Sequence, residues 1–402
     1  MDETEARWEA EFDRWLQPFL NQFGHKAQCR WAPLYLRGLI APGDRKSVEP
    51  MSRRVCPSDH EQLHHFVATS KWETCDHERV LLEKAETLVG GRDAHLIVDD
   101  TALVKKGEHS VGVAHQYCGQ LGKNANCQAL VSLTLARDEM PVAVALRLYL
   151  PQPWADDAVR RRKCGVPADV TFRPKWKIAL DEVARVVAGG VTFGDVLADA
   201  GYGVCAEFRR GLTELGLRWV VGVSPDQLVY ALSTRLRSVS SQGSTARPMR
   251  RRAATAKPRR ARDVIASLGP HSRWTVTWRQ GTKGPLTAEF TALRIRIADG
   301  EPTVDHRHGP GDQAWLICER RSNGQTKYHL SNYPADTSLE RLVGALKARW
   351  VCELAHQQLK EELGLDHFEG RSWSGLHHHA LLTMIAFAFL QHLRSLEKKT
   401  AA

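Results

Sequence analysis

Near residue 91 the hydrophobic pattern changes period, and this limits the possible folds more than any single motif does. Up to residue 90, apolar residues recur at three- and four-residue intervals, as in EARWEAEFDRWLQPFL, DHEQLHHFVATSKW and ERVLLEKAETLV, which predicts a small helical domain over 1–90. AHLIVDD then reads as a strand, and SVGVAHQYCG, CQALVSLTLA and VAVALRLYL are further strand candidates with turn residues between them. KWKIALDEVARVVA reads as a helix ended by Gly189 and Gly190, FGDVLADAGYG as a strand entering a polar turn, CAEFRRGLTELG as a helix and RWVVGVS as a strand. Strands followed by alternating helices and strands predict an α/β mixed sheet over 91–223. Residues 224–334 read as a β-rich insertion, with RWTVTWRQG, LTAEFTALRIRIA and QAWLICERR as strands, and 335–402 return to helix.

No run of about 18 consecutive apolar residues is present, so no membrane span is expected. The amphipathic start MDETEARWEAEFDRW fits neither a secretory signal nor an import presequence. Nine cysteines without a C-x-x-C pair fit a reducing cytoplasm better than a disulfide framework. A net charge of +10 favours a polyanionic partner, most simply nucleic acid. Between Asp226 and Asp263 no acid occurs, and RPMRRRAATAKPRRAR carries Arg247, Arg250, Arg251, Arg252, Lys257, Arg259, Arg260 and Arg262. Such a run is expected to be mobile without a partner, either as a solvated loop or as a DNA-contacting one.

Three acidic positions carry the chemistry. LIVDDT places Asp99 and Asp100 at or beside the end of an apolar strand, and VLADAGYG does the same with Asp199. Burying like charges side by side is costly. An oxygen-rich concave site holding a hard divalent cation would offset that cost. Glu353 lies in RWVCELAHQQLK. On one helix Arg349, Glu353 and Lys360 would fall within roughly 40° of each other, a carboxylate flanked by two cations. That spacing suits a metal ligand between phosphate contacts, and equally a surface ion pair.

These blocks resemble bacterial insertion-sequence transposases with a DDE catalytic triad, of the superfamily-endonuclease type. The likeness runs through LIVDDTALVKKGEHSVGVAHQYCGQLGKNANCQALVSLTLA, PKWKIALDEVARVVAGGVTFGDVLADAGYG and RWVCELAHQQLKEELGLDHFEGRSWSGLHHHALLTMIAFAFL, with RKSVEPM and LHHFVATSKW upstream. It implies an RNase H-like core interrupted by the β insertion, with Asp199 and Glu353 as second and third triad members. Relatives often carry D-E-T where Asp99, Asp100 and Thr101 stand here, which favours Asp99 as the first, with Asp100 the alternative. Arg349, Glu353 and Lys360 match a Y-x-x-R-x-x-x-E-x-x-x-x-x-x-K signature, although Leu346 occupies its tyrosine position.

The resemblance implies two Mg²⁺ or Mn²⁺ ions on the triad, serving cleavage and then attack by the freed 3′-OH. No covalent protein nucleophile is required, so Tyr202 is expected to be structural or to contact substrate. Lys105, Lys106 and Lys123 flank the first block and could hold phosphates or be solvated; the run Arg160 to Lys163 is similar. His115 and Gln116 are cleft or packing residues, and Trp373 is expected to pack beneath the third block. His377, His378 and His379 lack a further ligand set, so zinc is not expected there.

The expected function is a DNA transposase that binds the terminal inverted repeats of a mobile element, cleaves strands and joins them to target DNA. It would work as a homo-oligomer, because two ends must meet, in the bacterial cytoplasm at the nucleoid. A catalytically silent DNA-binding regulator and a structure-selective nuclease are the alternatives.

Overall fold

The computed structural model describes residues 3–239, 251–282 and 284–401. Five helices open the chain: α1 (Glu3–Leu20), α2 (Lys26–Ile40), α3 (Val48–Val55), α4 (His60–Ala68) and α5 (Cys75–Val89). Four strands follow, β1 (His95–Val104), β2 (Ala114–Cys118), β3 (Lys123–Arg137) and β4 (Met140–Leu148), then α6 (Gln152–Ala155), α7 (Ala158–Cys164) and α8 (Lys175–Ala188). Next come β5 (Asp195–Ala198), α9 (Ala200–Gly203), α10 (Ala206–Glu214), β6 (Trp219–Val223), β7 (Leu228–Ala231), β8 (Leu236–Val239), β9 (Arg251–Ala254), β10 (Arg259–Arg260) and α11 (Ala261–Ala266). Strands β11 (Trp274–Gly281), β12 (Gly284–Ile297), β13 (Gln313–Arg320) and β14 (Thr326–Ser331) lead to α12 (Leu339–Ala348), α13 (Trp350–Glu361) and α14 (Trp373–Ala401).

The fold is mixed α/β, and the chain forms two compact units. The first runs to Gly194 and resumes at Trp350; the second spans Asp195–Arg349.

In the first unit β3 is the central strand. β1 pairs antiparallel along one edge, while β2 and then β4 pair along the other. Register sets Asp99 opposite Ser132 and Asp100 opposite Val131, which in turn lies opposite Arg147. Side chains alternate across a strand, so Asp99 and Asp100 face opposite sides of the sheet. β1 does not stop at these aspartates, as the sequence suggested. Thr101, Ala102 and Leu103 are buried and carry the strand on to Val104.

Residues 1–90 pack into this same unit. Their aromatic rings pack against α14, with Phe12 and Phe389 centroids 5.3 Å apart, and the Tyr35 hydroxyl lies 2.8 Å from His379 Nδ1. A buried ion network ties α5, β4 and α8 together: Arg147 binds Glu78 at 2.6 Å and Glu182 at 2.8 Å, and Arg185 binds Glu182 at 2.8 Å. Burial pulls the Glu78 carboxyl upward, but Arg147 and Arg185 together hold it below its usual range. Each charge in the network is therefore compensated, which is what burial requires.

In the second unit the strand order is β10-β7-β12-β13-β14-β6-β5, with β11 also on β12. β5 and β6 pair in parallel, and the other pairs are antiparallel. β8 and β9 form a separate antiparallel pair. The described part of the basic run is thus not a single loop. Arg251–Ala254 and Arg259–Arg260 are strands, and acids meet several of the cations. Arg260 and Arg262 reach Asp226 at 3.4 and 3.1 Å, and Arg252 reaches Glu301 at 2.9 Å. Arg259 donates to the Asp263 carbonyl at 2.9 Å. Arg247 and Arg250 lie outside the described residues.

Candidate active site

Asp99 is half-buried in β1, and both carboxylate oxygens accept a neutral donor. Oδ1 takes the Asp100 backbone N–H at 2.8 Å, and Oδ2 takes the Cys352 thiol of α13 at 3.2 Å. The Ser132 hydroxyl donates to the Asp99 carbonyl at 3.0 Å, which makes His356 Nε2, 2.7 Å away, the donor to that hydroxyl. Cys352 and His356 lie four apart, on the face that α13 buries with Val351, Ala355 and Leu359. Glu353 follows Cys352 directly and is exposed, at the rim of that face. It stands in the first turn of α13, where the helix dipole favours a carboxylate. Packing of one helix onto β1 thus brings Asp99 beside the residue that precedes Glu353. None of Cys352, His356 and Ser132 was singled out from the sequence; the adjacency of Cys352 to Glu353 was the available clue.

Asp100 has a different setting. On the other face of β1 it forms an ion pair with Lys175 at the start of α8, and that ammonium lies 5.4 Å from the centre of the Tyr149 ring. The two adjacent negative charges are therefore separated by the sheet, and one of them is neutralised. This pairing was not legible, because Lys175 is 75 positions away.

In the second unit Asp199 directly follows β5, as its place in VLADAGYG suggested. It caps α9, with Oδ1 accepting the Gly201 N–H at 2.9 Å. The turn is tightly built: a Cβ on Gly203 would come within 2.0 Å of the Gly222 carbonyl oxygen, and one on Gly222 within 2.7 Å of the Ala200 nitrogen. Asp199 lines a cavity of about 310 Å³ with Lys327, Tyr328, His329 and Arg349. Burial drives the His329 imidazole down to about 3, and Lys327, Lys347 and Arg349 add to the effect, so it stays neutral. Lys347 itself is held by Glu319, which Arg321 also reaches at 2.7 Å.

The helical face expected for Arg349, Glu353 and Lys360 is interrupted. Arg349 is the C-cap of α12 and belongs to the second unit, whereas Glu353 and Lys360 stand on α13 in the first. Leu346, at the signature's tyrosine position, is buried in α12. Lys360 is half-buried; burial lowers its pKa, and Nζ lies 3.3 Å from Gln120 Oε1. Lys105 turns inward, donating to the carbonyls of Phe368 at 2.7 Å and Asp366 at 3.4 Å, and burial lowers its pKa too. Lys106 and Lys123 are exposed.

Tyr202 is buried against Phe208, with ring centroids 5.7 Å apart. Gln116 binds the Cys127 carbonyl at 2.9 Å, and His115 is exposed. Arg160 lies 3.9 Å over Trp154, and Arg161 caps nearby carbonyls. Trp373 is half-buried and packs on His377. His378 and His379 are core residues, and His377 is half-buried. His377 binds the Trp373 carbonyl, His378 those of Val67 and Trp72, and His379 the Gly364 carbonyl. Burial pushes His377 and His379 down to about 4. Among the described residues no group of three or more His, Cys, Asp or Glu forms a preassembled metal site, and no helix is long and apolar enough to cross a membrane.

A sequence profile for the family described as "DDE superfamily endonuclease" matches residues 18–285, more than half of the chain. The chain belongs to the DDE superfamily endonucleases. The match includes Asp99 and Asp199 and stops short of Glu353. This DDE superfamily endonuclease is also similar to the "Probable transposase for insertion sequence element IS701" of Microchaete diplosiphon, at 30% identity over 196 residues. That alignment covers 48% of this chain and 49% of the relative, so the chain spans about half the length of the curated relative it matches. Among solved structures, a cryo-EM structure of a piggyBac transposase synaptic complex with hairpin DNA aligns with a TM-score of 0.47 and 9% identity, over 97% of this chain and 73% of that one.

Proposed function

We propose that the protein is a DNA transposase that binds the ends of a mobile element, cleaves DNA strands with divalent metal and transfers them to target DNA. The observation that carries this reading is the setting of Asp99. Neutral donors, one of them the Cys352 that directly precedes Glu353, orient its carboxylate, while Lys175 pairs with the competing charge of Asp100. The donor set also fits the metal. Asp99, Asp199 and Glu353 offer only oxygens, as hard divalent cations prefer, and Glu353 is open to solvent. Two such ions, when bound, would activate the attacking oxygen and stabilise the leaving one.

The chain's own residues supply the rest. Cys352 and the Asp100 N–H fix the Asp99 rotamer, and the cap bond to Gly201 fixes Asp199. Lys327 and Arg349, around the Asp199 cavity, would draw a phosphodiester toward that carboxylate. Arg252, Arg259, Arg260, Lys106, Lys123 and Lys360 are phosphate contacts in this reading, as are Arg250 and Arg251, whereas Lys105 supports the loop after α13. In this reading the antiparallel β1–β3–β4 set, with Asp99 on β1, and the parallel β5–β6 pair, with Asp199 just past β5, would be the parts of an RNase H-like core, and β7–β14 its insertion. A homo-oligomer would bring two element ends together.

The test pairs gel-shift affinity for duplex DNA from the gene's flanks with nicking of the same duplex in Mg²⁺ or Mn²⁺. Asp99→Asn, Asp199→Asn and Glu353→Gln should each bind DNA and fail to nick it. A wild-type protein that binds without nicking would instead support a silent regulator. Nicking without strand joining would support a structure-selective nuclease.

A further inference from the structure

The hairpin formed by β2 and β3 carries a surface that the triad does not use. β2 is the last strand of its sheet, and Tyr117 and Leu121 at its tip are 65% and 45% exposed. A single exposed aromatic residue needs no explanation. Here several features coincide. His115 and Tyr117 share the outward face of β2, with Asn124 directly opposite Tyr117 on β3. These are side chains that can stack or hydrogen-bond. No acid occurs between Glu108 and Asp138, while Lys123 stands exposed at the tip and Lys106 on the neighbouring loop. The tip is also tied to the candidate active-site helix, since Lys360 of α13 lies 3.3 Å from Gln120 Oε1. Glu353 is seven residues earlier on that helix, about 10 Å along its axis, or roughly three base steps of DNA.

We propose that the β2–β3 hairpin contacts nucleic-acid bases, with Tyr117, supported by Leu121, stacking on an exposed base a few nucleotides from the phosphate that Glu353 serves. The proposal rests on the DNA-transposase reading and adds a base contact to it. Phosphate contacts alone would call for a cationic tip; an aromatic, amide-bearing tip with a single lysine suits base faces and edges better.

The probe is a duplex from the gene's flanks with 2-aminopurine placed in turn at each position near its end, together with a single strand of the same sequence. Wild-type protein should quench one or two adjacent positions. Tyr117→Trp should keep that pattern. Tyr117→Ala should lose it, bind the single strand on the order of tenfold more weakly, and leave the salt dependence of binding unchanged. Lys123→Ala should do the reverse, flattening the salt dependence while keeping the quenching. Matching far-ultraviolet circular dichroism and melting temperatures would show that the variants are folded. The proposal is overturned if Tyr117→Ala quenches as wild type does while both bind the duplex. Failure of wild type to bind any of the DNAs would overturn the DNA reading itself.

Discussion

Asp99 and Asp199 are both candidate metal ligands, yet the chain holds them by different means. Asp99 sits within a ten-residue strand, its two oxygens steered by a thiol and a backbone N–H. Asp199 sits just past a four-residue strand, capping a short turn beside a cavity that Lys327 and Arg349 line. The first setting fixes geometry through neutral bonds, which salt does not screen. The second adds long-range charge, which salt does screen. One carboxylate should therefore answer to shape and the other to ionic strength.

The largest expected effect treats the two alike. Asp99→Asn and Asp199→Asn should each lower the nicking rate at least about a thousandfold, as for loss of an essential metal ligand, while duplex affinity stays within about threefold. Asp100→Asn should cost less than about tenfold, because its charge is already spent on Lys175. A dead Asp100→Asn with an active Asp99→Asn would exchange their roles.

The next effect separates the settings. Arg349→Ala should weaken duplex binding and flatten its salt dependence, with a loss of roughly tenfold at low salt that fades as salt rises. Cys352→Ala should cost only a few-fold in nicking, equally at all salt concentrations, by freeing the Asp99 rotamer. Cys352→Ser, which keeps a donor, should recover most of that loss. A salt-dependent Cys352→Ala defect would break the comparison, as would an Arg349→Ala defect independent of salt.

A smaller effect concerns stability in the first unit. His377 and His379 titrate near 6.5 when unfolded and are pushed down to about 4 when buried. Between those values the unfolded chain binds more protons, so stability falls as pH drops from about 6.5 toward 4. Urea midpoints at pH 7.5 and pH 5 should show this fall, and His379→Asn should make it shallower. An unchanged pH slope in His379→Asn would show that this histidine is not part of the acid response.

Much of the fold was legible where one periodicity persisted. The helical pattern up to Val89, the strand start at AHLIV and the strand-end position of Asp199 all follow from local pattern. The likeness of three blocks to DDE transposases pointed to the family. Three things were hidden, each for a physical reason. The run past Asp100 looked like an end because charges usually break buried strands, yet alternation lets Asp99 and Asp100 leave by opposite faces. The basic run looked unstructured because its acidic partners Asp226 and Glu301 lie outside it in sequence. The helix carrying Arg349, Glu353 and Lys360 looked continuous because nothing in ALKARWVCEL marks the break between α12 and α13.

The contact between Gly203 and Gly222 has a consequence for genetics. Neither glycine carries a reactive group, yet no side chain fits at either place without moving the backbone next to Asp199. In a saturation screen scored by loss of transposition, these two codons should tolerate as few replacements as the codons for the acids themselves. A map of intolerant positions would therefore mark the turn as densely as the chemistry, and only a binding assay on the purified alleles would tell scaffold from reagent.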